Sequence, residues 1–276
     1  SYGLDTSRGA GRRIARVTRQ LALGRRATLD DPLRVAFWLL QDRDDIALRQ
    51  IQSLVEASEG LVDAQVLKIV DGDITRCLAC DICPTDVGRD AEYRCIIQKK
   101  DDFLKLEHER LWDVDAVVPV GYTAPDPAGI ASRYQQFIER TRYLRRGDYV
   151  FTDLVTAPLV VEELGAMDSL PLRMLTSTLR HHTVLTRPMR AIRHEGRVMN
   201  EAALVADWNR FLSVARRMTV GRLLAAIEQP PVAKYNPVGY ILSAEKDKED
   251  IKLRRREEAT ADRLERARRQ ATTRLT

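Results

Sequence analysis

Four cysteines lie within one short segment of the 276-residue sequence. Cys77, Cys80 and Cys83 are each separated by two residues, Pro84 follows the third, and Cys95 comes after a longer excursion. Two-residue spacings let a loop curl around one centre, so four thiolates could bind a [4Fe–4S] cluster or a structural Zn²⁺. Zinc loops usually pair two separated Cys-x-x-Cys motifs, whereas three consecutive cysteines at this spacing favour iron–sulfur. We therefore predict a [4Fe–4S] centre on these four cysteines, with zinc and free redox thiols as alternatives.

The positive charge of the chain belongs to its ends. The sequence holds 45 Lys and Arg against 40 Asp and Glu, a net charge of +5. Residues 1–29 contain seven Arg and one Asp, and residues 245–276 contain 11 basic and 8 acidic residues, so the body is mildly acidic. The Arg-rich segment has no aromatic residue beyond Tyr2 to stack on bases, so we expect it to contact a subunit or a phosphate rather than nucleic acid.

Hydrophobic segments place the protein among water-soluble α/β proteins. No apolar run approaches the roughly 18–20 residues that cross a bilayer, and the first residues lack an apolar signal core. We therefore expect a cytoplasmic protein without a membrane partner. Predicted buried strands occupy residues 33–40, 64–70, 116–121, 149–155 and 182–185. Predicted helices between them occupy residues 46–57, 99–111, 130–144 and 159–180. This alternation indicates a parallel sheet with helices on both faces, which binds ligands beyond the carboxyl ends of its strands.

The same patterns divide the chain into four parts. Residues 1–32 form a basic N-terminal arm, and residues 33–198 form the α/β domain, with a cysteine-rich loop at 76–96 after the second strand. A C-terminal helix at 199–231 follows. Residues 232–276 are predicted to form an extended arm and a charged tail, either a solvated helix or disordered.

Three segments taken together resemble the flavodoxin-like NAD(P)H-dependent FMN reductases, in particular their iron–sulfur flavoprotein branch. They are the cysteine segment 76–83, the stretch 95–103 that leads into the next helix, and residues 115–141, which end in Phe-Ile-Glu-Arg-Thr. The resemblance covers about residues 33–190. It implies a flavodoxin-like, doubly wound, five-stranded parallel sheet, FMN and a [4Fe–4S] cluster as cofactors, and NAD(P)H as an electron donor.

The resemblance also assigns residues to the flavin. It places the flavin ring at the loop after the third strand, with the end of the fourth strand lining the same pocket; these residues are Gly121, Tyr122, Thr123 and Ala124, and Thr156, Ala157 and Pro158. An ordinary turn and a plain strand end are the alternatives for the two segments. The first loop, where the family binds the FMN phosphate with small polar residues, reads Gln41-Asp-Arg-Asp-Asp45. Its three carboxylates oppose a phosphate, but Gln41 and Arg43 are expected to contact the cofactor.

Two function hypotheses follow from these predictions. The first is an iron–sulfur flavoprotein oxidoreductase that passes electrons between NAD(P)H or a ferredoxin-like donor, a [4Fe–4S] cluster and FMN to an unknown acceptor. Its family implies a homo-oligomer, a dimer or tetramer, because cluster and flavin meet across a subunit interface. The alternative is a flavodoxin-like scaffold that has lost FMN and serves as an interaction or assembly protein with a structural metal site. A redox sensor that binds nucleic acid through residues 1–29 is a third hypothesis, and His181 and His182 are either substrate-binding or structural.

Overall fold

A mostly parallel β-sheet lies at the centre of the fold, as seen in a computed structural model that describes residues 2–80, 82–83, 88–145, 149–228 and 249–276. The strands are β1 Leu33–Asp42, β2 Val62–Leu67, β3 Ala116–Thr123, β4 Ala131–Ser132, β5 Val155–Thr156, β6 Leu159–Glu163, β7 Val184–Leu185, β8 Met189–His194 and β9 Arg197–Val198. The helices are α1 Tyr2–Leu23, α2 Ile46–Glu56, α3 Phe103–Leu106, α4 His108–Trp112, α5 Tyr134–Arg140, α6 Arg142–Arg145, α7 Leu170–Leu179, α8 Glu201–Glu228 and α9 Glu249–Arg274. A 3₁₀ turn, Ile69–Asp71, follows β2.

The five longest strands run parallel in the order β2-β1-β3-β6-β8. Ranked along the chain, this is the 2-1-3-4-5 order of the flavodoxin-like fold. The predicted α/β class is therefore confirmed, but the predicted count of five strands is wrong, since the described residues form a nine-stranded sheet. The extra strands are short: β4 pairs antiparallel with the end of β1, β9 pairs antiparallel with β8, and β5 and β7 extend the sheet beside the start of β3.

The second half of the sheet departs from the prediction. Residues 149–154 form turns instead of a fourth strand, because Tyr149 and Asp153 adopt positive φ angles of 55° and 66°. The strand at this position is β6, within a segment predicted to be helical, and α7 begins only at residue 170. The fifth long strand is β8, and only the two-residue β7 lies in the predicted 182–185 segment. In β8 the exposed Arg190 lies between the buried Met189 and Ala191. The strand therefore contains no continuous apolar run, and the sequence does not predict it as a buried strand.

Both faces of the sheet are covered by helices, and β1 shows how. Phe37 packs on Trp208 of α8, with ring centroids 5.9 Å apart, while the next residue, Trp38, packs on Phe137 of α5 at 5.0 Å. Successive side chains of a strand point to opposite faces, so β1 contributes to two separate apolar cores. The Trp208 indole donates to the Ser58 hydroxyl at 2.8 Å, which satisfies its only polar atom.

The N-terminal segment is part of the fold rather than an arm. Helix α1 packs on α8 at two glycines, where Gly24 lies against the Arg217 carbonyl and Gly221 against the Gln20 carbonyl. The buried carboxylate of Asp153 pairs with arginines of α1, so the basic residues here neutralise a buried acid of the same chain.

The described part of the C-terminal tail is the helix α9, and it packs on the same core. Leu275 forms an antiparallel bridge with Leu29, and Arg274 pairs with the buried carboxylate of Asp115 at 2.8 Å. The predicted extended arm at 232–244 lies outside the described residues. No helix in the described ranges is both long and apolar enough to cross a membrane.

Candidate functional site

The four cysteines lie in the loop between β2 and α3. Cys95 is buried, Cys77 and Cys83 are half-buried, and Cys80 is exposed. Burial raises the pKa of the Cys83 thiol to about 11, and repulsion from the other three cysteines adds to this shift. Among the described residues, no three His, Cys, Asp or Glu side chains are arranged to hold a metal ion. Four cysteine thiols are the ligand type of a [4Fe–4S] cluster, but among the described residues they are not arranged as a coordination shell.

A buried ion pair closes the base of this loop. The Arg140 guanidinium contacts the Asp102 carboxylate at two points, Nη2–Oδ1 at 2.8 Å and Nη1–Oδ2 at 2.9 Å. Arg140 also donates to the Thr75 carbonyl at 2.6 Å, and Asp102 accepts from the Thr75 amide at 3.2 Å. Because Thr75 lies just before the first cysteine and Asp102 follows the last, one pair fixes both ends of the loop.

Aromatic residues extend this polar network to Cys95. Arg140 donates to the Tyr93 hydroxyl at 2.7 Å, and that hydroxyl donates to the Ile97 carbonyl at 3.0 Å. Burial raises the Tyr93 pKa, the Arg140 charge opposes this shift, and the nearby Cys95 and Asp102 add to it. The Gln98 side-chain amide donates to the Cys95 carbonyl at 2.7 Å. The buried cysteine is thus held by neighbours on both sides.

The C-terminal helix α9 binds the same loop at Asp90. Asp90, which is almost fully buried, accepts hydrogen bonds from Arg263 Nε at 2.6 Å and Arg266 Nη2 at 2.8 Å. Burial alone would raise the Asp90 pKa, but the two guanidinium groups hold it at about 2. Arg266 also lies 4.5 Å above the Trp112 ring. No sequence pattern joins these two segments, although Arg263 and Arg266 lie three residues apart on one helix face.

Three predicted flavin contacts meet at the carboxyl edge of the sheet. The Gln41 amide donates to the Tyr122 carbonyl at 2.7 Å, and Arg43 Nη2 donates to the Tyr122 hydroxyl at 2.8 Å. That hydroxyl donates onward to Glu163, which also pairs with Arg193. Tyr122 is only 1% exposed. Gln41, Arg43 and Tyr122 are therefore neighbours, but they bind one another rather than presenting a surface to a ring.

The other predicted flavin contacts are buried or lie elsewhere. A Cβ atom on Gly121 would lie 2.6 Å from Leu170 of α7, so the helix covers this position. Thr123 is buried and Ala124 is half-buried. Thr156, Ala157 and Pro158 are buried beside the middle of β3, and the Thr156 hydroxyl donates to the Val117 carbonyl at 2.7 Å.

That Thr156–Pro158 line a flavin pocket stays a prediction; strand β5 does end at Thr156. The chain continues into β6, which reaches the carboxyl edge only at Glu162 and Glu163. The residue that closes the edge on this side is therefore Glu163, in a segment that the sequence pattern predicts to be helical.

The backbone N–H groups at the start of α2, which would bind the FMN phosphate, already donate to the Asp42 carboxylate. Asp42 Oδ1 accepts from the amides of Arg43 at 2.8 Å and Ala47 at 2.9 Å, and Oδ2 accepts from the Leu48 amide at 3.2 Å. Burial and the neighbouring Asp45 raise the Asp42 pKa, but its backbone hydrogen bonds favour the charged form. A phosphate dianion needs these same N–H groups. The residues of the first loop therefore do not fit the phosphate of FMN.

His181, the first residue of the histidine pair, is a buried core residue. His181 is fully buried against Trp38 and Phe151, and its Nε2 lies 3.3 Å from the Thr141 hydroxyl. Burial, with some repulsion from Arg145 and His182, lowers the His181 pKa to about 3, so it stays neutral at physiological pH. His182 stacks on the Tyr149 ring with centroids 4.0 Å apart.

Comparisons with known proteins find similarity to solved structures only. No protein-family model and no curated protein matches the sequence. Among solved structures, FerB, the flavoenzyme NAD(P)H:(acceptor) oxidoreductase from Paracoccus denitrificans, aligns with a TM-score of 0.43 and 14% identity. The alignment covers 67% of this chain and 98% of that chain. The function has to be inferred from the site itself.

Proposed function

We propose that the protein is an oxidoreductase whose redox centre is a [4Fe–4S] cluster bound by Cys77, Cys80, Cys83 and Cys95. The observation that carries the proposal is the placement of all four cysteines in one loop whose two ends are fixed by one buried ion pair. Four thiolates are the ligand set of such clusters.

The surrounding side chains would orient and shield the ligands. A bound cluster supplies one-electron transfer. The Gln98 amide, bonded to the Cys95 carbonyl, holds the backbone of the buried ligand in place. The Arg140 guanidinium brings a positive charge and a hydrogen bond to Tyr93, the neighbour of Cys95. Such outer contacts set ligand orientation and redox potential.

The electron donor would be NAD(P)H or a ferredoxin-like protein, the acceptor an unidentified small molecule, and the assembled form a homo-oligomer. No electrons would pass through FMN, because Asp42 accepts from the N–H groups that the FMN phosphate would need. Flavin-dependent oxidoreduction, which the resemblance implies, would therefore require a flavin held in another way.

A second candidate is a scaffold that has lost FMN and uses the cysteines for structural zinc. The closed carboxyl edge favours it, because Gln41, Arg43, Tyr122 and Glu163 bind one another there. Four thiolates are also a common zinc ligand set. In this case the protein would act by binding partners rather than by electron transfer.

Metal and flavin analysis of anaerobically purified protein separates the candidates. We expect about four iron and four acid-labile sulfide per chain, a broad absorbance shoulder near about 400 nm that dithionite bleaches, and substoichiometric flavin. The Cys83→Ser variant should lose most of the iron, whereas Ser53→Ala, on an exposed position of α2, should retain it. One zinc per chain without sulfide would establish the second candidate. Absence of both metals would overturn both candidates.

A further inference from the structure

We propose that a small pocket beside the cysteine loop, between Arg76 and Arg133, binds the phosphate group of a small-molecule ligand. The pocket encloses about 250 Å³ and is lined by polar residues alone, namely Arg76, Ser132, Arg133, Gln135 and Gln136. This volume suits a phosphate group rather than a whole nucleotide, so the rest of a ligand would lie outside it.

The pocket lies where ligands of this fold class bind. Ser132 pairs with Gln41 at the carboxyl end of β1, so one wall belongs to the edge at which doubly wound sheets bind their ligands. Arg76 forms the other wall and directly precedes Cys77. A phosphate held here would place the rest of its molecule beside the first cysteine of the proposed redox centre.

Both arginines stand on backbone that the fold fixes. The Arg133 amide donates to the Leu40 carbonyl of β1 at 2.9 Å, and the Arg133 side chain donates to Gln136 Oε1 at 3.3 Å. On the opposite wall, residue 75 is held on both its N–H and its C=O by the buried Asp102–Arg140 pair. The backbone that carries both arginines is therefore fixed, and the Arg133 side chain is held by Gln136, which lowers the entropy cost of binding.

The charge balance around the pocket favours an anion. No carboxylate is among the described lining residues. Asp73 interacts electrostatically with Arg133, and its charge is offset by Lys99 at 2.6 Å, which lowers the Asp73 pKa. Glu139 accepts from Gln135 at 2.7 Å and lies one turn along α5. Two guanidinium charges thus face the pocket against distant or paired carboxylates.

The donor set favours phosphate over carboxylate. Two guanidinium forks, the Ser132 hydroxyl and the Gln136 amide supply more N–H and O–H donors than the two oxygens of a carboxylate can accept. Three phosphate oxygens with up to two negative charges match this set. Since Asp42 already occupies the helix end that the fold offers to phosphate, this pocket is a separate anion site on the same edge.

Calorimetric titration with inorganic phosphate tests the proposal on the full chain. At pH 7.5, with ionic strength fixed within each titration, we expect saturable binding that weakens severalfold when NaCl is raised from about 20 to 200 mM, since both arginines are exposed. The double variant R76Q/R133Q should bind at least about tenfold more weakly. R76K/R133K keeps the charge but loses the planar forks and should fall between. R210Q, an equally exposed arginine on α8, is the matched control and should bind like the parent.

Two further arms identify the source of the phosphate. NADP⁺ carries a phosphate monoester that NAD⁺ lacks, so displacement of inorganic phosphate by NADP⁺ alone would assign the pocket to a pyridine nucleotide. Displacement by neither would assign it to another phosphorylated small molecule. Phosphate binding that is absent in the parent, or unchanged in folded R76Q/R133Q, would overturn the proposal. These results do not depend on iron content, so they are distinguishable from failure of the proposed redox function.

Discussion

The side chains of Asp102 and Arg140 form a two-point ion pair in which neither reaches solvent, with Nη2–Oδ1 at 2.8 Å and Nη1–Oδ2 at 2.9 Å. Asp102 lies in the segment after the fourth cysteine, and Arg140 lies in the Phe-Ile-Glu-Arg-Thr stretch, 38 positions later. Two of the three segments that carry the family resemblance therefore meet in one contact. Their shared structural task is to hold the cysteine loop against the sheet.

Removing one member of this pair should strongly destabilise the protein. Arg140→Gln leaves the Asp102 carboxylate buried without its counter-charge, which typically costs about 3–5 kcal/mol. We expect this loss in the free energy of unfolding from urea titrations. The joint change Asp102→Leu and Arg140→Met should recover much of it, because no buried charge remains.

An exposed ion pair of the same region provides the control. Arg110 pairs with Glu107 at 2.5 Å on the surface of α4, and Arg110→Gln should change stability by no more than about 1 kcal/mol. Equal effects of Arg140→Gln and Arg110→Gln would contradict the special role of the buried pair.

The strands in the first half of the sheet can be predicted from the sequence because they are continuous apolar runs. β1 and β3 are buried on both faces, so nearly every residue is apolar. β8 lies towards the side of the sheet, and Arg190, Arg193 and His194 interrupt its apolar residues, so the sequence resembles a polar loop. The turn at 149–154 depends on positive φ angles at Tyr149 and Asp153, residue types for which no local signal demands that conformation.

The sequence offers candidate residues for the site but not their long-range contacts. The four cysteines are grouped by their spacing along the chain, and their role as ligands stays a prediction. The contacts of Asp90 with Arg263 and Arg266 span more than 170 positions, and charged side chains carry no periodic signal for such pairing. In the sequence, Asp42 is one acid among three in the first loop, although its carboxylate caps α2, because only the fold shows which acid turns inward.

A side chain added at Gly221, where α8 packs on α1, should destabilise the protein. In a free helix, Gly→Ala stabilises by up to about 1 kcal/mol. At Gly221 the added Cβ would lie 1.9 Å from the Gln20 carbonyl oxygen, so the helices would have to separate, at a cost of about 1–3 kcal/mol. We therefore expect Gly221→Ala to lower the melting temperature.

Gly11→Ala is the matched control on α1. A Cβ atom added at Gly11 would meet no other atom within 4 Å, so this change should raise the melting temperature. Stabilisation by both substitutions would show that α1 does not pack on α8 at these positions.

Burial of His181 predicts a stability loss at mildly acidic pH. Its pKa is about 3 in the folded protein against an ordinary value near 6.5, so only the unfolded chain takes up the proton between these values. Its contribution is complete above pH 6.5 and falls by up to about 1.4 kcal/mol per pH unit as pH drops towards 3. His181→Phe should flatten the pH dependence of urea unfolding between pH 7 and 5, leaving the smaller slope from His108, whose pKa is also lowered. An unchanged slope in His181→Phe would contradict the prediction.

Asp90 should control how firmly α9 holds the cysteine loop. Asp90→Asn removes the charge that Arg263 and Arg266 share, so both the loop and the adjoining part of the helix lose their common anchor. We expect amide hydrogen exchange to accelerate at least about tenfold in residues 88–95 and 254–266, since each tenfold corresponds to about 1.4 kcal/mol of local opening free energy. Protection near Leu275 should persist, because the Leu29 bridge and the Arg274–Asp115 pair hold that end independently. Glu265→Gln, which removes an exposed partner of Arg269 on the same helix, is the control; matching exchange profiles in the two variants would show that Asp90 is not the anchor.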